Sequence, residues 1–73
     1  MAASLAPAKC LRVDKPSSTV SYFGFAVPGT DSATAAWRIM RMTQVGTETL
    51  IQYAGGNTDF DSVWNDRLSY SYS

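Results

Sequence analysis

The chain contains one cysteine and no histidine among its 73 residues. One cysteine cannot form an internal disulfide, and a chain without histidine has neither histidine-ligated metal sites nor histidine-based catalytic triads. Ordering each residue costs about 1.5 kcal/mol of conformational entropy, which roughly cancels the burial that so short a chain achieves. Because small domains usually add disulfides, a metal or a partner subunit, we expect an oligomer or a component of a larger assembly.

The composition excludes several classes of protein. The hydrophobic share is 45%, and six basic residues balance six acidic ones. A disordered tail is richer in charge and poorer in aromatic residues. A nucleic-acid partner is not expected, because phosphate binding requires a surplus of lysine and arginine. A membrane partner is not expected either, since no apolar run approaches the roughly 20 residues of a membrane span.

The start of the chain is rich in alanine, serine and proline. It carries no basic residue before its apolar stretch, so it does not have the pattern of a secretory signal. We predict that residues 1–9 form a flexible N-terminal arm that becomes ordered only against a neighbour. Residues 10–73 then form a single small β domain.

Two strands are predicted in the first half of this domain. Cys10-Leu11-Arg12-Val13 is the first, and Thr19 to Val27, which is rich in β-branched and aromatic residues, is the second. Gly24 inside the second strand indicates a bulge or a close approach of another group to the backbone. The turn dipeptide Pro28-Gly29 ends this strand.

The segment from residue 31 to residue 42 is compatible with two structures. Asp31 or Ser32 is a suitable cap for a helix, whereas a strand over residues 36–42 places Trp37 and Ile39 inward. We favour the strand, because residues 44–46 have the pattern of a short hairpin connection and residues 47–53 that of its return strand.

The C-terminal part is predicted to contain one helical turn and a last strand. Asn57 or Thr58 caps the turn, and Phe60, Val63 and Trp64 form its apolar face. Residues 67–72 alternate between apolar and serine positions, as a strand does. We also expect the Arg67 guanidinium to stack on Trp64 and to pair with Asp66. The predicted fold is therefore all-β: a small antiparallel β-sandwich or barrel of four to five short strands with one short helical turn.

No pattern of residues predicts catalysis, a metal site or a cofactor. Asn57, Asp59 and Asp61 have the odd spacing of a calcium loop, but Ser62 and Leu68 occupy the positions of its glycine and glutamate. Gly55-Gly56 lacks the lysine of a phosphate loop, and Cys10 has no histidine to serve as its base. The chain is predicted not to be an enzyme and to need no cofactor.

The aromatic residues are predicted to build the core and the subunit interfaces, where Tyr, Trp, Met and Arg are enriched. Val20 joins them in the predicted core. The predicted core or interface anchors are Tyr22, Phe25, Trp37, Ile39, Ile51, Tyr53, Phe60, Trp64, Arg67 and Tyr70. The alternative is that the aromatic rings and arginines form a stacking surface for a glycan or a nucleic acid.

Four sequence segments resemble small proteins encoded among the structural genes of tailed bacteriophages. They are Pro28-Gly29-Thr30, Ala36-Trp37-Arg38-Ile39, residues 51–56 and residues 60–72; Gly55 departs from the acidic residue that is frequent in those proteins. The resemblance covers roughly residues 20 to 73.

This resemblance implies a virion component of the tail, neck or fibre apparatus, assembled in the cytoplasm of an infected bacterium. The expected partners are copies of the chain itself, as a trimer or higher homo-oligomer, and other virion proteins. The alternative role within the virion is a capsid decoration protein.

Overall fold

The computed structural model describes residues 7–73 and contains five strands and one short helix. The strands are β1 (Lys9–Asp14), β2 (Val20–Ala26), β3 (Ala35–Val45), β4 (Glu48–Tyr53) and β5 (Ser62–Val63), and a 3-10 helix spans Trp64–Asp66. Residues 1–6 of the expected arm lie outside the described residues. Lys9 pairs with Ala26, so the sheet begins one residue before the predicted start of the domain.

The strands form one antiparallel meander in the order β1-β2-β3-β4, and β5 pairs with the beginning of β3. The prediction of a small antiparallel all-β fold with four to five strands and one helical turn is confirmed. Within this class the sheet is open, and β1 and β4 lie at its two edges. Residues 31–42 were compatible with a helix or a strand, and the strand is correct. Residues 35–42 belong to β3 (Ala35–Val45), which is the longest strand of the described part of the chain.

The β3–β4 hairpin closes through the two residues Gly46 and Thr47, since Val45 pairs directly with Glu48. Gly46 has a φ of +62°, which is the left-handed conformation that glycine adopts without steric cost. A glycine at the first central position is typical of a two-residue type II′ hairpin turn. The turn therefore lies one residue later than the predicted connection over residues 44–46.

Alternation along the strands gives the sheet two faces, and only one carries the core. We call the buried side the inner face; Tyr22, Gly24 and Ala26 of β2 and Trp37 and Ile39 of β3 lie on it and are buried. Ala54 and Trp64 complete the buried apolar cluster, and Val20, Tyr70 and Tyr72 pack against it. The prediction that Trp37 and Ile39 face inward is confirmed.

The chain after β4 covers the inner face without forming a further long strand. The predicted last strand over residues 67–72 is wrong: residues 67–69 form turns, and Tyr72 makes only an isolated bridge to Ala54. The predicted helical turn is present but begins at Trp64. The predicted cap at Asn57 or Thr58 is wrong: the N-cap is Val63, which makes no side-chain capping bond. The Asn57 side-chain Oδ1 instead accepts a hydrogen bond from the Asp59 N–H (2.9 Å) in a local turn before the helix.

Candidate functional site

The centre of the inner face is a pair of tryptophan side chains resting on a glycine. The rings of Trp37 and Trp64 lie 5.8 Å apart between centroids, tilted by 37°, a separation within the usual range for interacting aromatic pairs. A Cβ at Gly24 would lie 2.6 Å from the Trp64 ring, so no other residue fits there without displacing the indole. The close approach predicted for Gly24 is therefore confirmed. Trp37 Nε1 donates to the Asp31 carbonyl at 2.9 Å, which satisfies its buried N–H.

Arg67 ties the C-terminal segment to the opposite end of the chain. Its guanidinium lies over the Trp64 ring, 4.6 Å from the centroid, as predicted. Its Nε donates to Asp14 Oδ2 at 3.0 Å, and its Nη1 donates to the Trp64 carbonyl at 3.2 Å. The prediction that Arg67 pairs with Asp66 is wrong, because the carboxylate that Arg67 contacts is that of Asp14 in β1. The backbone carbonyl of Asp66 accepts a hydrogen bond from Ser69.

Two tyrosine hydroxyls hold the covering segment in shape. Tyr70 accepts a hydrogen bond from the Val63 N–H at 2.8 Å, and Tyr72 donates to the Arg67 carbonyl at 2.7 Å. The pKa of Tyr72 is raised to about 12, mainly by burial and secondly by the nearby Tyr22, and Arg41 opposes the shift. Arg41 lies 4.7 Å above the Tyr72 ring. These contacts seal the edge of the core.

The predicted anchors divide between the two faces of the sheet. Tyr22, Trp37, Ile39 and Trp64 are buried in the core, and Tyr70 packs against it. The remaining predicted anchors besides Arg67 lie half-buried or exposed outside the core: Phe25, Ile51, Tyr53 and Phe60. Phe60 is 43% exposed and Ile51 is 55% exposed, so neither contributes to the core of this subunit.

Sequence reasoning missed the small members of the core. Ala26 and Ala54 are almost fully buried, and Ser62 is buried as well. Nothing in the local sequence marks these residues as buried. They are small because large rings pack against the backbone at their positions. Tyr72 was placed in a strand but instead caps the core through its hydroxyl.

The opposite side of the sheet, which we call the outer face, is also apolar. Antiparallel partners project to the same side, and the register pairs Phe23 with Val13 and Met40, and Met40 with Tyr53. The residues that the strand register places on this face are Cys10, Val13, Ser21, Phe23, Phe25, Arg38, Met40, Met42, Gln44, Thr49, Ile51 and Tyr53. An antiparallel sheet with one solvated face usually carries polar residues there, so this composition is not that of a face in water.

Arg38 is the one charged side chain among these outer-face residues, and it lies at one end of the face. Its guanidinium sits over two rings, 5.3 Å from the centroid of Phe25 and 4.7 Å from that of Phe60. Within residues 7–73 no carboxylate lies at salt-bridge distance from it. At the opposite end, Thr49 donates to the Gln44 side-chain oxygen at 3.3 Å, which makes that end polar and uncharged.

Residues 7–73 carry no other feature that points to catalysis or metal binding. No group of three or more metal-ligating side chains clusters there, and no pocket opens in that part of the chain. None of its helices is long and apolar enough to cross a membrane. Cys10 is a free, exposed thiol.

The chain was also compared with known proteins. No match is found among protein-family models, curated proteins or solved structures.

Proposed function

We propose that the protein is a structural component of a tailed-phage virion, part of the tail, neck or fibre apparatus. It acts by associating with copies of itself and by docking on other virion proteins, and it carries out no catalysis. The phage setting rests on the sequence resemblance. The mode of action rests on the structure of the sheet.

The observation that carries the mode of action is the apolar outer face, which none of the described elements covers. Val13 is 61% exposed and Ile51 is 55% exposed, and Phe23, Phe25 and Met40 between them are half-buried. Contiguous apolar surface of several hundred Å² marks an interaction site on a soluble protein. A sheet with two apolar faces needs a layer on each side, and an assembly partner supplies the second layer.

The alternative of a glycan- or nucleic-acid-binding module is less well supported by the aromatic residues. Trp37 and Trp64, the largest stacking surfaces in the chain, are 1% and 5% exposed. The Phe25 and Phe60 rings are already occupied by Arg38. Base or sugar stacking needs free ring faces.

Immunogold labelling of particles made by the phage that encodes this chain tests the proposal. Labelling at the tail, neck or fibres is expected, and labelling over the head would indicate the capsid-decoration role instead. Purified particles that carry no label would contradict a virion role. A monomeric protein that binds oligosaccharides in solution would favour the binding module.

A further inference from the structure

We propose that the outer face packs against the outer face of a second copy, related by a two-fold axis that runs across the strands. This inference rests on the proposed function and names the first partner in the assembly. It predicts a two-layer sandwich in which the outer-face residues of both sheets form a shared apolar core.

The chemistry of the outer face fits a second copy better than a charged partner. Its middle consists of Val13, Phe23, Met40, Met42 and Ile51, which carry no charge. A surface of this kind brings no like charges together when it meets itself. Methionine side chains are flexible and fill irregular gaps between packed surfaces, so Met40 and Met42 near the centre suit a self-complementary contact.

The position of Arg38 selects the symmetry. Sheets pack about 10 Å apart, so an axis along the strands would bring the two Arg38 side chains to the same end of the interface, where they repel. An axis across the strands reverses the second sheet and places Arg38 opposite Gln44 of the second copy. The two guanidiniums are then about 20 Å apart, because six residues of strand separate their ends. That distance exceeds the Debye length of about 8 Å at physiological salt.

The size of the face sets the strength of the contact. Four strands about 4.8 Å apart and about 20 Å long present on the order of 400 Å² in projection. Two such faces bury on the order of 800 Å², which is below the 1,200–2,000 Å² of a standard stable interface. The isolated protein should therefore form a dimer that dissociates on dilution into the micromolar range, and the virion context adds further contacts.

Sedimentation equilibrium from low micromolar to millimolar protein tests the pairing, with a reductant present because Cys10 is exposed. A monomer–dimer equilibrium is expected for the native chain. Ile51→Asp and Val13→Asp each place a carboxylate on an exposed part of the outer face and should abolish the dimer. Thr47→Asp adds the same charge at the hairpin turn, outside the face, and should leave dimerisation unchanged. Near-ultraviolet circular dichroism of the buried tryptophans checks that each variant is folded.

Gln44→Glu tests the axis. With the axis across the strands, each new carboxylate meets Arg38 of the other copy, and exposed ion pairs of this kind should tighten the dimer by about twofold to tenfold. With the axis along the strands, the two carboxylates would meet each other and weaken the dimer. Gln44→Lys should weaken the dimer with either axis, because the new ammonium meets Arg38 of the other copy in one arrangement and a second lysine in the other, so Gln44→Glu is the variant that distinguishes the axes.

The remaining outcomes separate this inference from the proposed function. A trimer would overturn the two-fold pair while leaving self-association intact. A native chain that stays monomeric at millimolar concentration would overturn the pairing, and if particles still carry the label, the virion role stands with another protein on the outer face. A monomer that dimerises only after deletion of residues 1–6 would show that this segment covers the face, and would also overturn the pairing.

Discussion

The two faces of the sheet are built from the same strands and are both apolar, yet only one is buried within the subunit. On β2 the inner residues Gly24 and Ala26 are smaller than the outer residues Phe23 and Phe25. At these two positions the smaller side is the buried one, because the rings of Trp37 and Trp64 lie directly against Gly24. The difference between the faces shows that small residues where the indoles lie against the strand let the inner face accept the covering segment.

Hydrogen bonds and an ion pair fix the cover on the inner face, whereas on the outer face the covering segment contributes the Phe60 ring, which lies against Arg38. The Arg67–Asp14 ion pair joins the covering segment to β1. The hydroxyls of Tyr70 and Tyr72 join parts of the segment to one another. The inner face is thus closed by the chain's own residues, whereas Val13 and Ile51 of the outer face remain more than half exposed.

The largest expected effect is that of Trp64→Ala, which removes the ring that covers Gly24. Truncation of a buried aromatic residue costs about 3–5 kcal/mol. A chain of this length has a free energy of unfolding of about 4–11 kcal/mol, so the variant should lose about a third or more of its stability and unfold at a much lower urea concentration. Urea denaturation followed by far-ultraviolet circular dichroism measures the loss.

Phe60→Ala is the matched control for this comparison. Phe60 is 43% exposed and contacts Arg38 rather than the core, so its truncation should cost no more than about 1 kcal/mol. Equal losses for Phe60 and Trp64 would contradict the division into a sealed and an open face.

Gly24→Ala tests the floor beneath the tryptophans. The added Cβ would lie 2.6 Å from Trp64 Cε3 and 3.0 Å from Trp37 Cε3, and overpacking of this kind costs about 1–3 kcal/mol. The near-ultraviolet spectrum should change as the indoles shift. Ser21→Ala on the outer face of the same strand should change neither stability nor spectrum appreciably, and an unaltered spectrum for Gly24→Ala would contradict the close packing.

The pKa of Tyr72 predicts a pH dependence specific to the sealed edge of the core. The folded-state pKa of about 12 lies above the ordinary tyrosine pKa of 10.0, so the unfolded chain releases this proton first as pH rises. The contribution is fully present below pH 10 and is lost progressively between pH 10 and about pH 12. Comparing unfolding of the native chain with that of Tyr72→Phe across this range isolates it. A difference between the two proteins that stays constant with pH would exclude the linkage.

Ile51→Thr should have the smallest effect, because it changes an exposed outer-face residue and keeps the β-branched shape. At concentrations where the protein is monomeric, the expected change in stability is within about 0.5 kcal/mol. Thermal unfolding at low concentration measures it. A loss as large as that of a core truncation would mean that the outer face is already covered within the subunit.

The first four strands and the central core positions could be predicted from sequence alone. Alternation placed Trp37 and Ile39 inward, the interior glycine indicated a close approach, and the return strand after the hairpin was correct. These features depend on neighbouring residues and turn chemistry, which a single sequence displays directly.

The conformation of residues 67–72 could not be predicted in this way. The alternating pattern there is that of a strand, but Tyr72 donates to the carbonyl of Arg67, five residues earlier. An extended chain would separate those residues by about 17 Å, so the hydrogen bond requires a turn. Partners such as Asp14 for Arg67 lie far away in sequence, and no local pattern indicates them.

Only part of the outer face could be predicted from the sequence. Phe23 and Phe25 fall on one side of the second strand by simple alternation, but the residues that project with them depend on register. Met40 joins them only because β3 pairs with both β2 and β4. Which side would receive the covering segment depended on the size of the inner residues and on long-range contacts.

The ion pair between Arg67 and Asp14 also bears on the order in which the chain folds. It spans 53 residues, whereas the hairpins of the meander join near neighbours. Contacts of long sequence separation carry a large loop-closure cost and form late, so the sheet should assemble before its inner face is covered. During that interval both apolar faces are open to solvent, and the nascent subunit is prone to aggregate. Weakening the Trp64 contact should then speed unfolding while leaving the rate of folding nearly unchanged.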